Sequence, residues 1–424
     1  MGAYCMKRNY WIVALIMLFW FVISFITNIM GPLIPDVIQN FHLSYLGLAG
    51  FIPTSFFVAY AVMSIPSGIL IEKLNQKIVL IIGFTLPLIG SLLFAIHPVY
   101  ITLLLSSFII GLGMAMLQTV INPLTRVAGG EENFAFFSVF GQLVFGAASF
   151  VSPLLYSYLV QELSSGKSNY NLFVGVLARL TPPELPWASL YWVFAVILIA
   201  IIVLTFIVRF PSLELNEDEK SGSVSSYKTL LKNKYVYLFF FGILSYVATE
   251  QGIANWISQF LFKYHGLNPQ VVGAQEVGWF WGLMSVGCLI GLVALKLFDS
   301  KYILRVSATI SIALLLLSLF SSKEIALIGF PALGFTISVM FSIIMSLGLN
   351  SVSSHHGSFA GILCSGIVGG AIGPLIVGNL ADIVGLKLAM LVILLPMAYI
   401  FGISVWAKPL IQNKTVKLND LFKK

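Results

Sequence analysis

The sequence predicts an all-α membrane protein: twelve transmembrane helices in two pseudo-symmetric bundles of six, with both termini in the cytoplasm. Three observations predict it. Of 424 residues, 59% are hydrophobic and only 9% charged. A soluble domain carries roughly 25% charged residues, so this chain has too few charges to cover a water-facing surface. Apolar runs of membrane-spanning length recur along the chain, punctuated by Gly, Pro and charge. Lys and Arg concentrate in alternate connections between those runs.

The first run, WIVALIMLFWFVISFITNIM, follows the basic start MGAYCMKRNY. It is about 20 residues long, enough to cross a bilayer and too long for a typical signal peptide. No small-x-small cleavage site follows it, so it is expected to stay as the first helix. Met6 stands where N-myristoylation needs Ser or Thr. The spans are expected at 11–35, 46–71, 78–96, 100–125, 134–160, 187–209, 236–264, 272–298, 302–320, 324–349, 356–383 and 386–407. Barrel strands would be about ten residues long and would alternate in polarity, which these runs do not.

With both termini inside, the outer loops hold only Lys167, Arg179, Lys263, Lys323 and Lys387 of the 23 basic residues. That asymmetry sets the orientation, and a multi-pass protein of the cytoplasmic (inner) membrane is expected. The longest polar stretch between inner ends, Pro211 to Lys234, separates six spans from six. The expected organisation is therefore a first bundle over 1–210, a cytoplasmic linker over 211–235, a second bundle over 236–408 and a tail over 409–424. Within the linker, SSYKTLLKNK suits a short amphipathic helix on the inner leaflet. The long outer loop from Gln161 to Pro186 carries no assigned role.

The halves resemble each other weakly. PSGILIEKLNQK after the second span matches IGLVALKLFDSK after the eighth, with Gly68 on Gly291, Lys73 on Lys296 and Leu74 on Leu297. Pro153 falls on Pro374 at a slightly different offset. Two six-helix repeats of the same topology are the arrangement of carriers that hold substrate at the midplane between rocking halves.

Here the chain resembles the major facilitator superfamily. Its loop motif, G-x-x-x-D-[RK]-x-G-[RK]-[RK], reads Gly68-Ile-Leu-Ile-Glu72-Lys73-Leu-Asn75-Gln-Lys77, with Glu for Asp and Asn for the second Gly. Gly68 permits close helix approach. Glu72 suits the positive end of a neighbouring helix. With Lys73, and with a cluster of Arg126, Glu131 and Glu132, it is expected to gate the inner side rather than touch substrate. Within the superfamily the chain is similar to the fucose–galactose–glucose:proton symporters and sodium-dependent glucose transporters. NIMGPLIPDVIQNFHLS, SIPSGILIEKL, GLGMAMLQTVINP, the helix-seven stretch and FSIIMSLGLN…GIVGGAIGPLIVGNLAD carry that likeness. The fucose branch has acids in helices one and four where this chain has Gly31 and Gln118. Their loss shifts attention to the seventh helix.

That helix contains YVATEQGIANWISQF, Tyr246 to Phe260. At 100° per residue Gln251, Asn255, Ser258 and Gln259 share one stripe. Lipid offers amides no partner, and amides both donate and accept, as sugar hydroxyls require. The plain alternative is bonding between helices. Trp256 lies at the stripe's edge and Trp279, with Trp281, in the eighth span; each is either a face for a sugar ring or packing. Glu250 is the expected coupling group, because a charged carboxylate at mid-span costs about 2.5–3.5 kcal/mol and must face a cavity or be protonated. It lies 100° from Gln251, so it joins the stripe only if the helix unwinds, and Gly252 is the expected break point. Glu276 is a second coupling candidate. From the first half Asn28, Gln118, Asn122 and Gln142 are the facing candidates, with Gln118 and Asn122 on one face.

No enzyme constellation is present: no Ser/His/Asp spacing, no H-E-x-x-H and no Walker loop. No catalytic residue, no resident cofactor and no metal site are expected; His355-His356 reads as a solvated turn. Three cysteines, Cys5, Cys288 and Cys364, make no disulfide framework. The net charge of +7 lies in loops, so nucleic acid is not an expected partner. The expected partners are the lipid bilayer and a small-molecule substrate, a sugar, and the chain is expected to function as a monomer. The resemblance implies a secondary active transporter that moves a monosaccharide by alternating access with H+ or Na+. An efflux antiporter for lipophilic compounds, an uncoupled sugar facilitator and a transport-dead receptor remain open.

Overall fold

The computed structural model describes residues 10–129, 134–165, 170–210, 228–352 and 356–410. Among them the regular elements are helices, with no strand. Twelve are long and apolar enough to cross a membrane, from Tyr10–Asn40 to Leu386–Trp406, at the positions the sequence predicts. Most of the linker, the cluster with Glu131 and Glu132, His355 and the tail lie outside the described residues, as do the side chains of Glu72, Lys73, Asn122, Arg126 and His356.

The first half comprises α1 (Tyr10–Thr27), α2 (Met30–Asn40), α3 (Leu46–Lys73), α4 (Gln76–Ile96), α5 (Tyr100–Gly129), α6 (Phe134–Ser164), the short α7 (Leu172–Leu180) and α8 (Ser189–Ile207). The second half comprises α9 (Lys234–Ala254), α10 (Ile257–His265), α11 (Ala274–Leu297), α12 (Ser300–Phe320), α13 (Lys323–Ile337), α14 (Met340–Leu349), α15 (His356–Ser365), α16 (Gly369–Val384), α17 (Leu386–Ala389) and α18 (Leu394–Trp406). Asn75, Asn233 and Asp299 cap α4, α9 and α12 by accepting from backbone N–H groups of the first turn, which satisfies donors that lipid cannot. α7 forms inside the long loop because Asn171 caps it, its Oδ1 accepting from Val174 N at 2.8 Å.

Five spans are interrupted among the described residues, the twelfth by a 3-10 turn at Met390–Ile393. The first breaks at Asn28–Ile29, the seventh at Asn255–Trp256 and the tenth at Ser338–Val339, while the eleventh passes through a 3-10 turn at Gly366–Val368. The expected break at Gly252 is thus displaced by three residues. Gly252 sits inside α9, where an added Cβ would make ordinary contact with Ile393 at 3.4 Å.

Span ends gather at two faces, called here the Tyr10 end and the Asn40 end. Within the first half, α3 and α4 both pack on α5; within the second, α11 and α12 both pack on α13. Between halves, α3 lies along α16 and α6 along α11. In lipid, helices associate through close approach of small residues rather than through water exclusion. Added Cβ atoms show where that happens: on Gly146 one would collide with Ser285, and on Gly282 one would lie 3.1 Å from the Phe150 ring. At the Asn40 end, Trp187 donates to Asn40 Oδ1 at 2.9 Å and stacks on Phe94 with centroids 5.3 Å apart.

Candidate functional site

The two broken helices that open the halves meet at their breaks. Gly31, one residue into α2, is so close to the Ala254 carbonyl that a Cβ there would overlap it, with Asn255 Cα 3.4 Å away. A break frees backbone groups and lets polar side chains sit at depth. Asn28 is buried at the first break and donates to Ser149 Oγ of α6 at 2.8 Å; Ser149 pairs with Ser24 Oγ at 2.6 Å.

At the other break Asn255 reaches back one turn. Its Nδ2 donates to Gln251 Oε1 at 3.0 Å and to the Gln251 carbonyl at 2.9 Å. The predicted stripe of Gln251, Asn255, Ser258 and Gln259 is buried throughout. Ser258 donates to the Pro269 carbonyl at 3.3 Å. Thr249 Oγ1, off the stripe on α9, has no hydrogen-bond partner among the described residues, and neither have two stripe acceptors, Asn255 Oδ1 and Gln259 Oε1. An acceptor buried without a donor costs about 1–3 kcal/mol, so this group asks for a ligand bearing O–H or N–H.

Glu250, half-buried on α9, accepts from the Tyr246 hydroxyl at 2.9 Å and shares a side-chain hydrogen bond with Gln251. Tyr246 packs against Phe341 of α14, centroids 5.7 Å apart. Cys288 of α11 faces the same pair and donates to the Ser338 carbonyl at the break of the tenth span, at 3.4 Å. Glu250 thus sits inside the second half, held by a phenol and by the amide of Gln251. Glu276 is half-buried at the start of α11, with Oε2 unpartnered among the described residues.

The other predicted residues scatter. Trp256 is fully buried, donating to the Pro374 carbonyl at 3.2 Å and touching Gly378, so it packs α10 onto α16. Trp279 is 50% exposed and meets Phe150 of the first half edge-on at 4.9 Å. Gln118 is half-buried on α5 and Gln142 exposed on α6. Asn122 belongs to α5, but its side chain lies outside the described residues. Gly68 follows Ser67, whose hydroxyl pairs with Thr119 of α5 at 2.9 Å. Among the described residues no three His, Cys, Asp or Glu come together as a metal site.

Sequence reasoning missed a set of polar contacts across the halves at the Asn40 end. Asp36, buried in α2, accepts from the Tyr156 hydroxyl at 2.5 Å and from Gln270 Nε2 at 2.9 Å. Asp382 of α16 accepts from Leu46 N at 2.7 Å and Gly47 N at 2.9 Å, capping α3 from the opposite half. Thr54 donates to the Ala371 carbonyl at 2.9 Å. A carboxylate inside an apolar span was the available signal for Asp36.

Comparison with known proteins follows the same lines. Residues 16–374 match the family model of the Major Facilitator Superfamily. A "Glucose/galactose transporter" of Brucella abortus biovar 1 (strain 9-941) is 31% identical over 396 residues, 90% of each chain. An "L-fucose-proton symporter" of Escherichia coli (strain K12) is 26% identical over 393 residues, 88% of this chain and 87% of that one. A crystal structure of the E. coli fucose:proton symporter superposes with a TM-score of 0.68 at 22% identity, covering 95% of this chain and 100% of that one.

Proposed function

The chain belongs to the Major Facilitator Superfamily, and from that premise we propose that it is a secondary active transporter moving a monosaccharide by alternating access, driven by protons. One observation carries the substrate reading. Where the first and seventh spans break and touch, Asn255 Oδ1 and Gln259 Oε1 stand buried without donors, and a polyol brings donors. Asn28, Gln118, Asn122 and Gln142 are the groups of the first half that complete the site. The relatives named as glucose/galactose transporter and L-fucose-proton symporter support the same class.

Glu250 is the coupling group. A carboxylate at this depth carries charge only at a cost, and its bonded partners, Tyr246 and Gln251, are neutral. It therefore exchanges a proton as access to it alternates. Relatives named as proton symporters favour H+ over Na+. Glu276 is held as a second group on the same path. The halves over 1–210 and 236–408 rock about their seams, with Gly68, Glu72, Lys73 and Arg126 holding the inner side in the opposite state.

The protein works as a monomer in the cytoplasmic membrane, with both termini inside, as the Lys and Arg asymmetry indicates. On this reading the Asn40 end is the outer one, and the contacts between halves there support a state closed to the outside. Uptake of a radiolabelled monosaccharide panel into proteoliposomes, with proton and sodium gradients imposed separately, tests this. Accumulation of one hexose under a proton gradient is the expected result; no sugar accumulated under either gradient would refute the reading.

A further inference from the structure

The contact between Asp36, Tyr156 and Gln270 joins the halves at the Asn40 end. Asp36 belongs to the first span and Tyr156 to α6, both in the first half; Gln270 lies in the turn Pro269–Gly273 that opens the eighth span in the second. Each carboxylate oxygen takes one bond: Oδ2 from the phenol, Oδ1 from the amide. Asp36 is buried, with 2% of its surface exposed. Both partners are neutral. The titratable and charged groups on elements packed against α2 are Tyr156, Tyr158 and Glu162 on α6, Lys263, Tyr264 and His265 on α10, Glu276, Cys288 and Lys296 on α11, Tyr60, Glu72 and Lys73 on α3, Tyr45 before α3 and Glu184 before α8; of these, Tyr156 is the one bonded to Asp36 among the described residues.

Separating the halves at this end breaks the Gln270 bond and returns Asp36 to water. Closing it strips that water away and leaves two neutral donors in its place. Two such bonds offset only part of the cost of burying a charge without a counter-charge. A proton from water at that end, bound to Oδ2, removes the charge and leaves the contact intact: the new acid hydroxyl donates to the Tyr156 oxygen, while Oδ1 still accepts from Gln270. Asp36 lies beyond the break at Asn28–Ile29, on the Asn40 side, so opening of that end is what exposes it to water.

We infer that Asp36 is a positioning residue for the transport cycle, a protonatable latch that makes closure of the Asn40 end favoured by acid on that side. It acts through closure and does not carry the transported proton, which the reading above assigns to Glu250. The inference rests on that alternating-access reading but not on the identity of the substrate.

The test needs no substrate. Spin labels at Gln39→Cys and Lys263→Cys, both exposed and on opposite halves, report the width of this end in a background with Cys5, Cys288 and Cys364 replaced by Ser. In the otherwise unaltered chain the closed fraction is expected to rise as pH falls from mildly alkaline to mildly acidic. Asp36→Asn keeps an acceptor for Gln270 and a donor for Tyr156, so it should remain closed with no response to pH. At mildly acidic pH Asp36→Ala should lower the closed-to-open ratio several-fold, the scale of a lost hydrogen bond between neutral groups. Should that variant fail to fold, Gln270→Ala, which keeps the acid and removes its cross-half donor, should widen the distances likewise. A pH response preserved in Asp36→Asn, or distances unmoved in both truncations, overturns the latch. A chain that closes with acid but moves no monosaccharide keeps the latch and loses the sugar reading.

Discussion

Gly31 of α2 lies against the carbonyl of Ala254, the last residue of α9, so the interruption of the first span touches that of the seventh. The two breaks are built alike. Asn28 reaches back four residues to Ser24 Oγ at 3.5 Å, and Asn255 four residues to Gln251 Oε1 at 3.0 Å. Each half thus opens with a helix that stops at an asparagine midway through the bundle, and the two stops face each other.

Gly31→Ala should force those spans apart, because the new Cβ would meet backbone, which cannot swing aside. Overpacking of this kind costs about 1–3 kcal/mol. The expected outcome is a lower midpoint of thermal unfolding in detergent and slower substrate exchange. Wild-type values for both would mean that the breaks tolerate separation.

Gln259→Leu separates binding from structure. Removing an unpaired buried acceptor is near neutral or stabilising for the empty protein. The unliganded midpoint should therefore hold or rise, while protection by sugar weakens and the apparent KM increases by about tenfold or more, as expected for one lost bond. A large drop in the unliganded midpoint would instead make Gln259 a structural residue.

Glu250→Gln should retain counterflow of sugar and lose accumulation driven by a proton gradient, since an amide still accepts from Tyr246 but carries no exchangeable charge. Counterflow should become insensitive to pH. Undiminished accumulation would remove Glu250 from the coupling path.

Asp382→Ala strips two backbone N–H groups at the start of α3 of their acceptors. Tyr45, the residue before α3, offers no side-chain cap. A lost N-cap costs about 0.5–2 kcal/mol, here charged against the closed state alone. Labels at the Asn40 end should move apart; unchanged spacing would show that the small-residue seams suffice.

All twelve spans were legible because lipid demands about 20 apolar residues per helix and the chain supplies them in separate runs. The breaks were less so. Asn28 and Ser338 sit in runs apolar enough to read as unbroken helix, and Gly252, the residue that looked like a weak point, fits its helix well. At Asn255 the decisive feature is a side chain bonding back to its own helix together with a contact from α2. The stripe of amides was visible as a pattern, yet Trp256 beside it turned into α16. Asp36 and Asp382 escaped notice because their partners stand far along the chain, at Gln270 and at Leu46 and Gly47. Local pattern carries no record of which strangers a fold will introduce.

Asp36 is lent by one half to the head of a helix in the other, and Asp382 returns the gesture in the opposite direction. Neither bundle owns the fastening. Opening the far side demands that two bolts, thrown from facing leaves of one door, be withdrawn in the same moment, so the barrier to that motion is their joint height and a half-opened intermediate has little to rest on.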